Sequence, residues 1–246
     1  MSIVVTEPQP GVRLLTIDRP DRKNALDLES YSALASGLQD ADATESVHAI
    51  VLAGAQGTFS SGNDLGDFLR YSDPTPARDL LRTLVLIETP LIAAVEGDAV
   101  GIGVTMLLHC DLVVAARSAR FRLPFVPLGL TPEGGSTHLL PRSAGAKLAA
   151  ELLLFGDPFT TEVAERAGIV NRVVPDGEAL AMALALAARL GEQPPQALRA
   201  AHTLLHNERE RLLAVIDEEI AVFRERLESD EAQAILRSLG GSSGRN

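Results

Sequence analysis

One carboxylate and two small-residue loops are the parts of this chain best suited to chemistry. Glu133 stands in Thr131-Pro132-Glu133-Gly134-Gly135, just before the helical pattern of 134–140. A helix N-terminus favours an ionised carboxylate by about 0.3–1 kcal/mol, which suits a group that must be charged before it takes a proton. The same position equally suits a first-turn glutamate with no catalytic task. Ser60-Ser61-Gly62 and Gly101-Ile102-Gly103 carry little side-chain bulk, so their backbone N–H groups are free to face a ligand. Glycine is also the ordinary turn residue, and each loop alone fits plain turn chemistry.

Several familiar sites fail on inspection. Gly101-Ile102-Gly103 begins like a dinucleotide fingerprint, but Met106 stands where the third glycine or alanine belongs. There is no phosphate-loop Gly-Lys-Ser/Thr and no His-Glu-x-x-His, and Gly134-Gly135-Ser136-Thr137-His138 ends in histidine where a nucleophile elbow has glycine. His48, His109, His138, His202 and His206 show no carboxylate at metal-binding spacing. His202 and His206 are four apart on a surface-like helix, and no metal is expected there. A single cysteine, Cys110, excludes an intrachain disulfide and a thiolate zinc site and reads as a small core residue.

The 246 residues carry 22 Lys plus Arg against 33 Asp plus Glu, a net charge of −11. That excludes a nucleic-acid polyanion as the main partner. It leaves room for a phosphate-bearing ligand held by local cations such as Arg22 and Lys23. The lack of cysteine pairs points to a reducing cytoplasm. The start of the chain lacks a signal-peptide pattern. The most apolar stretch, 91–108, is interrupted by Glu96 and Asp98, so it reads as core and no membrane association is expected.

The elements that must position these residues alternate. The stretches 3–5 and 12–17 read as a hairpin, 28–38 and 76–88 as helices, and 49–53, 91–95 and 111–115 as short apolar runs typical of buried strands. After a Pro/Gly-rich loop at 123–136, helical patterns follow at 144–154, 161–167 and 178–190, and the stretch 194–239 is helical throughout. Residues 209–226 place Leu212, Val215, Ile216, Ile220 and Phe223 on one face, a stripe suited to a partner subunit. The tail 240–246 reads as loose.

In order, the chain shows Thr16-Ile17-Asp18-Arg19-Pro20-Asp21-Arg22-Lys23-Asn24-Ala25-Leu26, Phe59-Ser60-Ser61-Gly62-Asn63-Asp64-Leu65, and Pro90-Leu91-Ile92-Ala93-Ala94-Val95-Glu96-Gly97 running into Val100-Gly101-Ile102-Gly103. Cys110-Asp111, Ala119-Arg120-Phe121, Leu128-Gly129-Leu130-Thr131-Pro132-Glu133-Gly134-Gly135 and Gly168-Ile169-Val170-Asn171-Arg172-Val173-Val174 complete the set. This set resembles the crotonase superfamily, the enoyl-CoA hydratase/isomerase family, over nearly the whole chain. The resemblance implies an α/β fold, a spiral of ββα units over 1–190, with a C-terminal helical region at 191–246 used in assembling a homotrimer or dimer of trimers. It implies an acyl-CoA thioester substrate that carries its own coenzyme A, with no separate cofactor and no metal. It also implies an oxyanion hole from the amides of Asn63 and Ile102, where two preorganised donors stabilise charge on the thioester oxygen. The isoleucine, where glycine is usual, is expected to crowd the acyl pocket. Arg22, Lys23, Ser61, Gly62, Asp64, Gly101, Gly103, Thr105 and Phe125 are the implied substrate-binding set. Asp64 is also read as a cap of the short turn that follows it.

The family's hydratases act through two glutamates, and those positions hold Thr105 and Phe125 here. The remaining carboxylate, Glu133, matches the single catalytic glutamate of the Δ3,Δ2-enoyl-CoA isomerases of peroxisomal and yeast type, an activity of fatty-acid β-oxidation. In that branch a bulky aliphatic residue is known at the Ile102 position. The resemblance thus implies a 3-enoyl-CoA to trans-2-enoyl-CoA isomerase with Glu133 as sole acid and base. Other acyl-CoA reactions on this fold, hydration or thioester hydrolysis, and a non-catalytic acyl-CoA-binding assembly subunit are the alternatives.

Overall fold

The computed structural model describes residues 2–64, 66, 70 and 73–242, with the side chains of 239–242 excepted. Its frame is a six-stranded sheet in the order β1 (Ile3–Gln9), β2 (Val12–Ile17), β3 (Ala49–Gly54), β4 (Leu91–Val95), β6 (Leu112–Ala116), β9 (Arg172–Val174). The hairpin β1–β2 is antiparallel and every later pairing in this sheet is parallel. Parallel neighbours need crossovers, and helices supply two of them: α1 (Leu28–Asp42) between β2 and β3, and α2 (Thr75–Leu86) between β3 and β4. A smaller sheet orders β5 (Asp98–Val100), β7 (Arg120–Arg122) and β8 (Phe159–Thr160).

The central strands are apolar on both faces because both faces are covered. One set of alternate side chains, including Val12, Val51, Ala94 and Val114, packs on α7 (Ala179–Gly191) through Ala183 and Leu186. The other set, including Leu15, Ile50, Leu52, Ala93 and Val113, enters the main core with Leu34, Leu38, Leu80 and Leu84 of α1 and α2.

Between β5 and β9 lie the short α3 (Ile102–Thr105), then α4 (Ser136–Ala144), α5 (Ala146–Phe155) and α6 (Thr161–Arg166). Beyond Gly191 the chain is helical: α8 (Pro195–Leu205), α9 (Arg209–Leu227) and α10 (Asp230–Ser242). The helix running through Ser242 corrects the expectation of a loose tail from 240, and residues 243–246 lie outside those described. The apolar stripe of α9 is also not left for a partner: Ile216, Ile220 and Phe223 are buried in the main core of their own chain. Among the described residues no helix is long and apolar enough to cross a membrane.

Candidate active site

Buried Asn24 fixes the first loop. It has a left-handed φ of 55°, and its side-chain amide donates to the carbonyls of Ala55 (2.9 Å) and Thr58 (2.6 Å). The Ser60 hydroxyl donates to Asn24 C=O at 2.9 Å and accepts Gly62 N–H at 3.1 Å. Two isolated parallel bridges, Leu26 with Asn63 and Ser60 with Ala99, then set loop 60–63 against the start of loop 100–103. The fit is tight at Gly62, where φ is +89° and a Cβ would lie 2.6 Å from Val100 C=O. Only glycine serves there.

In the Leu26 bridge the bonds run from Leu26 N–H to Gly62 C=O and from Asp64 N–H to Leu26 C=O. Asn63, between those two partners, therefore turns its own N–H away from the bridge. Its side chain is held by the Tyr31 hydroxyl, which donates to Asn63 Oδ1. Ile102 is the first residue of α3, following Gly101 at φ +55°. A first-turn N–H has no partner within its helix. Both expected donors thus come from backbone with N–H capacity to spare. The Ile102 side chain is wholly buried in the main core. This corrects the expectation that it crowds an acyl pocket: α3 turns that side chain inward.

A cleft of about 360 Å³ opens beside these loops. Ser61, Gly62, Asn63, Val100 and Gly101 line one side, and Pro124, Phe125, Leu128, Leu130, Phe223 and Ile235 supply apolar wall, with Arg122 among the lining residues. Phe125 is therefore a wall of the cleft, as expected for a pocket residue. Thr105 and Gly103 are not: both are fully enclosed, Gly103 against the Ser60 backbone. Arg22 and Lys23 are exposed, and their carbonyls accept from the Ser61 hydroxyl (3.4 Å) and the Ser61 N–H (3.0 Å). They adjoin the cleft through this backbone contact. Asp64 is engaged elsewhere, accepting Gly66 N–H at 3.0 Å and pairing with Arg19 at 3.5 Å. That is the turn-capping role.

Glu133 is buried, 2% exposed, and is not itself part of the cleft wall. The Thr105 hydroxyl donates to its Oε1 at 2.6 Å, while Oε2 is buried with no partner. Thr105 is also one turn along α3 from Ile102, its hydroxyl 3.4 Å from Ile102 C=O. One short helix thus carries both the spare Ile102 N–H and the contact that holds the carboxylate. Burial, with the like charge of Glu219 adding to it and the Thr105 bond opposing, raises Glu133 to about 8.

That direction reverses the expectation of a base kept ionised by a helix N-terminus. The helix begins only at Ser136, after two left-handed glycines, and its free donors are taken by another group. Glu219 Oε2 accepts Gly135 N–H at 2.6 Å, and Oε1 accepts the N–H and the hydroxyl of Thr137 at 3.0 and 2.5 Å. On the other flank His109, lowered to about 4 by burial, is neutral and its Nε2 lies 2.8 Å from Gly134 C=O. Loop 133–135 is therefore held at three points.

Sequence reasoning missed Glu219 and Asp111. Glu219 was findable as an acidic residue within the apolar stripe of 209–226. Asp111 corrects the reading of histidines without carboxylates, because its carboxylate meets Nε2 of His202 at 3.1 Å and of His206 at 2.8 Å. Those partners are more than ninety residues apart in the chain, so linear spacing hides them. Cys110 is half-buried and its thiol is pushed far up by burial, which makes it an unreactive packing residue.

A strand-and-helix spiral with two spare backbone donors beside a buried carboxylate is the architecture of the crotonase fold. The enoyl-CoA hydratase/isomerase family pattern matches residues 7–240, and the chain belongs to that family, part of the crotonase superfamily. It is 36% identical over 214 residues to the 2,3-dehydroadipyl-CoA hydratase of Escherichia coli, covering 85% of this chain and 84% of that one. It is 34% identical over 239 residues to enoyl-CoA delta isomerase 2 of Rattus norvegicus, covering 93% of this chain and 61% of that protein. The solved structure of OdaA from Pseudomonas aeruginosa superposes with a TM-score of 0.93 at 41% identity, over 97% of this chain and 98% of that one.

Proposed function

We propose that the protein is a Δ3,Δ2-enoyl-CoA isomerase of fatty-acid breakdown in which Glu133 is the single acid and base. The observation that carries this reading is the Glu133 carboxylate itself: one oxygen is occupied by Thr105 and the other is unpartnered. The two positions where the family's hydratases hold glutamates are a threonine bonded to that base and a phenylalanine on the cleft wall. Hydration needs a group to activate water and a group to protonate carbon, and neither Thr105 nor Phe125 has a carboxylate to do so. The similarity to a delta isomerase supports the reading, while the similarity to a hydratase names the rival.

The thioester oxygen of a 3-enoyl-CoA accepts from the amides of Asn63 and Ile102. In its ionised form Glu133 takes a proton from C2 through Oε2, and the electrons pass into a dienolate whose charge rests on the thioester oxygen. Each such donor is worth about 10²–10³ in rate. Glu133 then returns the proton to C4 and the double bond moves to C2–C3, so no net proton is gained or lost. Thr105 keeps Oε1 engaged, which directs the chemistry to Oε2. Ser61, Gly62, Gly101 and Phe125 contact the acyl and pantetheine portions, and coenzyme A enters and leaves as part of the substrate.

The test is trans-3-hexenoyl-CoA, with conjugation followed in the ultraviolet. The wild type should isomerise it, and Glu133→Gln should lose about 10²–10⁴-fold in kcat with KM nearly unchanged. Crotonyl-CoA should be hydrated poorly by both. Near-normal turnover in Glu133→Gln would move the base elsewhere, and strong crotonyl-CoA hydration by the wild type would favour the hydratase reading.

A further inference from the structure

Asp111, His202 and His206 converge where the parallel sheet meets the C-terminal helices, on a part of the molecule the proposed reaction does not use. Asp111 precedes β6, and its Oδ2 accepts Leu91 N–H at 2.8 Å at the head of β4. His202 lies in α8, and His206 closes that helix, donating its N–H to His202 C=O at 3.1 Å. The continued turn brings the two rings to the same side of the helix, with centroids 4.4 Å apart. Both Nε2 atoms meet the one carboxylate, at 3.1 and 2.8 Å, and the three potential donor atoms all lie within 4.8 Å of one another.

We propose that Asp111, His202 and His206 form a binding site for one divalent transition-metal ion of the zinc type. Two imidazole nitrogens and one carboxylate oxygen are a donor set that favours Zn²⁺, Co²⁺ or Ni²⁺ over the harder Ca²⁺ and Mg²⁺. In a tetrahedral site with ligands about 2.0–2.1 Å from the ion, donor atoms stand about 3.3–3.4 Å apart. The histidine-to-carboxylate separations therefore need to widen by only a few tenths of an ångström. Burial acts to raise the Asp111 carboxyl, but bonds from His202, His206 and Leu91 hold it well below the usual carboxylate range, so Asp111 offers an anionic oxygen.

Metal entry requires each Nε2 to give up its proton to Nδ1 of the same ring, which leaves both imidazoles neutral. At His202 the proton would then sit on a buried Nδ1 that has no acceptor, a cost that bonding to the ion must exceed. His206 is half-exposed, so the ion has an entry path and water completes its coordination. The ion would tie α8 to the head of β4 and β6, stabilising the folded chain by mass action without touching Glu133.

The experiment uses the whole protein, stripped with a chelator and dialysed. Zinc chloride should bind with a stoichiometry of one and raise Tm in a saturable way, and cobalt chloride should develop visible d–d absorption that zinc abolishes. His206→Ala should weaken binding at least tenfold, whereas His138→Ala, which removes the histidine beside Glu208, should leave it unchanged. His206→Gln keeps the bulk and a donor to Asp111 and reads the same loss if the alanine variant does not fold. No stoichiometric binding by the wild type overturns the proposal, as does undiminished binding in the His206 variants.

Discussion

Glu219 Oε2 accepts the Gly135 N–H at 2.6 Å, two residues beyond Glu133. The donors that open α4 are thereby given to Glu219, and Glu133 faces a second buried carboxylate instead of a free helix terminus. Glu219 is itself raised, chiefly by burial against the opposing bonds from Thr137 and Gly135. The two carboxylates thus share a poorly solvated region with one set of donors between them.

Replacing Glu219 by Gln removes the like charge but keeps an acceptor for one of the N–H groups. Glu133 should then ionise at lower pH, and the rising limb of the profile of kcat/KM against pH should move to lower pH. Losing part of the cap should also cost about 0.5–2 kcal/mol of stability. An unmoved limb in a folded Glu219→Gln protein would show that the two carboxylates are not coupled.

Glu133 should also make stability depend on pH. It is protonated in the folded chain up to about 8 but ionises near its ordinary value of about 4.3 once unfolded. Between those values the folded state binds the extra proton, so stability falls as pH rises. The loss is complete above the folded value and absent below the unfolded one. Glu133→Gln keeps the acceptor for Thr105 and has no such proton. Its Tm should exceed that of the wild type at pH 9 by an amount that shrinks toward pH 4. A constant difference across that range would sink the argument.

The strands β3, β4 and β6 were legible because each is a short apolar run bounded by turn residues, whereas β9, three residues opening on exposed Arg172, carries no such signal. The runs at 49–53 and 91–95 needed no knowledge of the rest of the chain, and the structure places β3 and β4 there. The loops at Gly62 and Gly101 were legible as small-residue turns, and the resemblance supplied their role. What stayed hidden depends on chain return. The apolar stripe of α9 looks the same whether it meets a partner or its own core, and it meets its own core. The helix-terminus argument at Glu133 failed because the competing acceptor comes from a different helix. The Asp111 contact with His202 and His206 has the same origin.

Coenzyme A should bind without a large basic patch, in keeping with the net charge of −11. Arg22 and Lys23 are exposed, and exposed charge contacts are worth about 0–1 kcal/mol each and are screened by salt. Arg22→Ala with Lys23→Ala should therefore weaken acyl-CoA binding by about 30-fold at most, with the effect fading at high ionic strength. Most of the affinity would come from burial in the cleft. Abolished binding in a folded double variant, measured by calorimetry, would give those cations a larger share.

The stripe of α9 no longer argues for a partner, since Ile216, Ile220 and Phe223 are buried within one chain. Exposed apolar pairs lie at Leu154 and Phe155, which end α5, and most strongly at Leu204 and Leu205, which are 73% and 79% exposed at the end of α8. Adjacent exposed leucines at a helix end are costly for an isolated chain and suit a subunit contact. Burying a leucine side chain is worth about 1.5–3 kcal/mol, so the pair repeated around a ring is a substantial driving force. The protein should run as a trimer or a dimer of trimers by light scattering at micromolar concentration. Leu204→Glu with Leu205→Glu should shift it toward monomer while leaving the circular dichroism of the fold intact, because neither side chain is part of the core. A monomeric wild type would refute the assembly, and an unchanged oligomer in the double variant would move the interface away from α8.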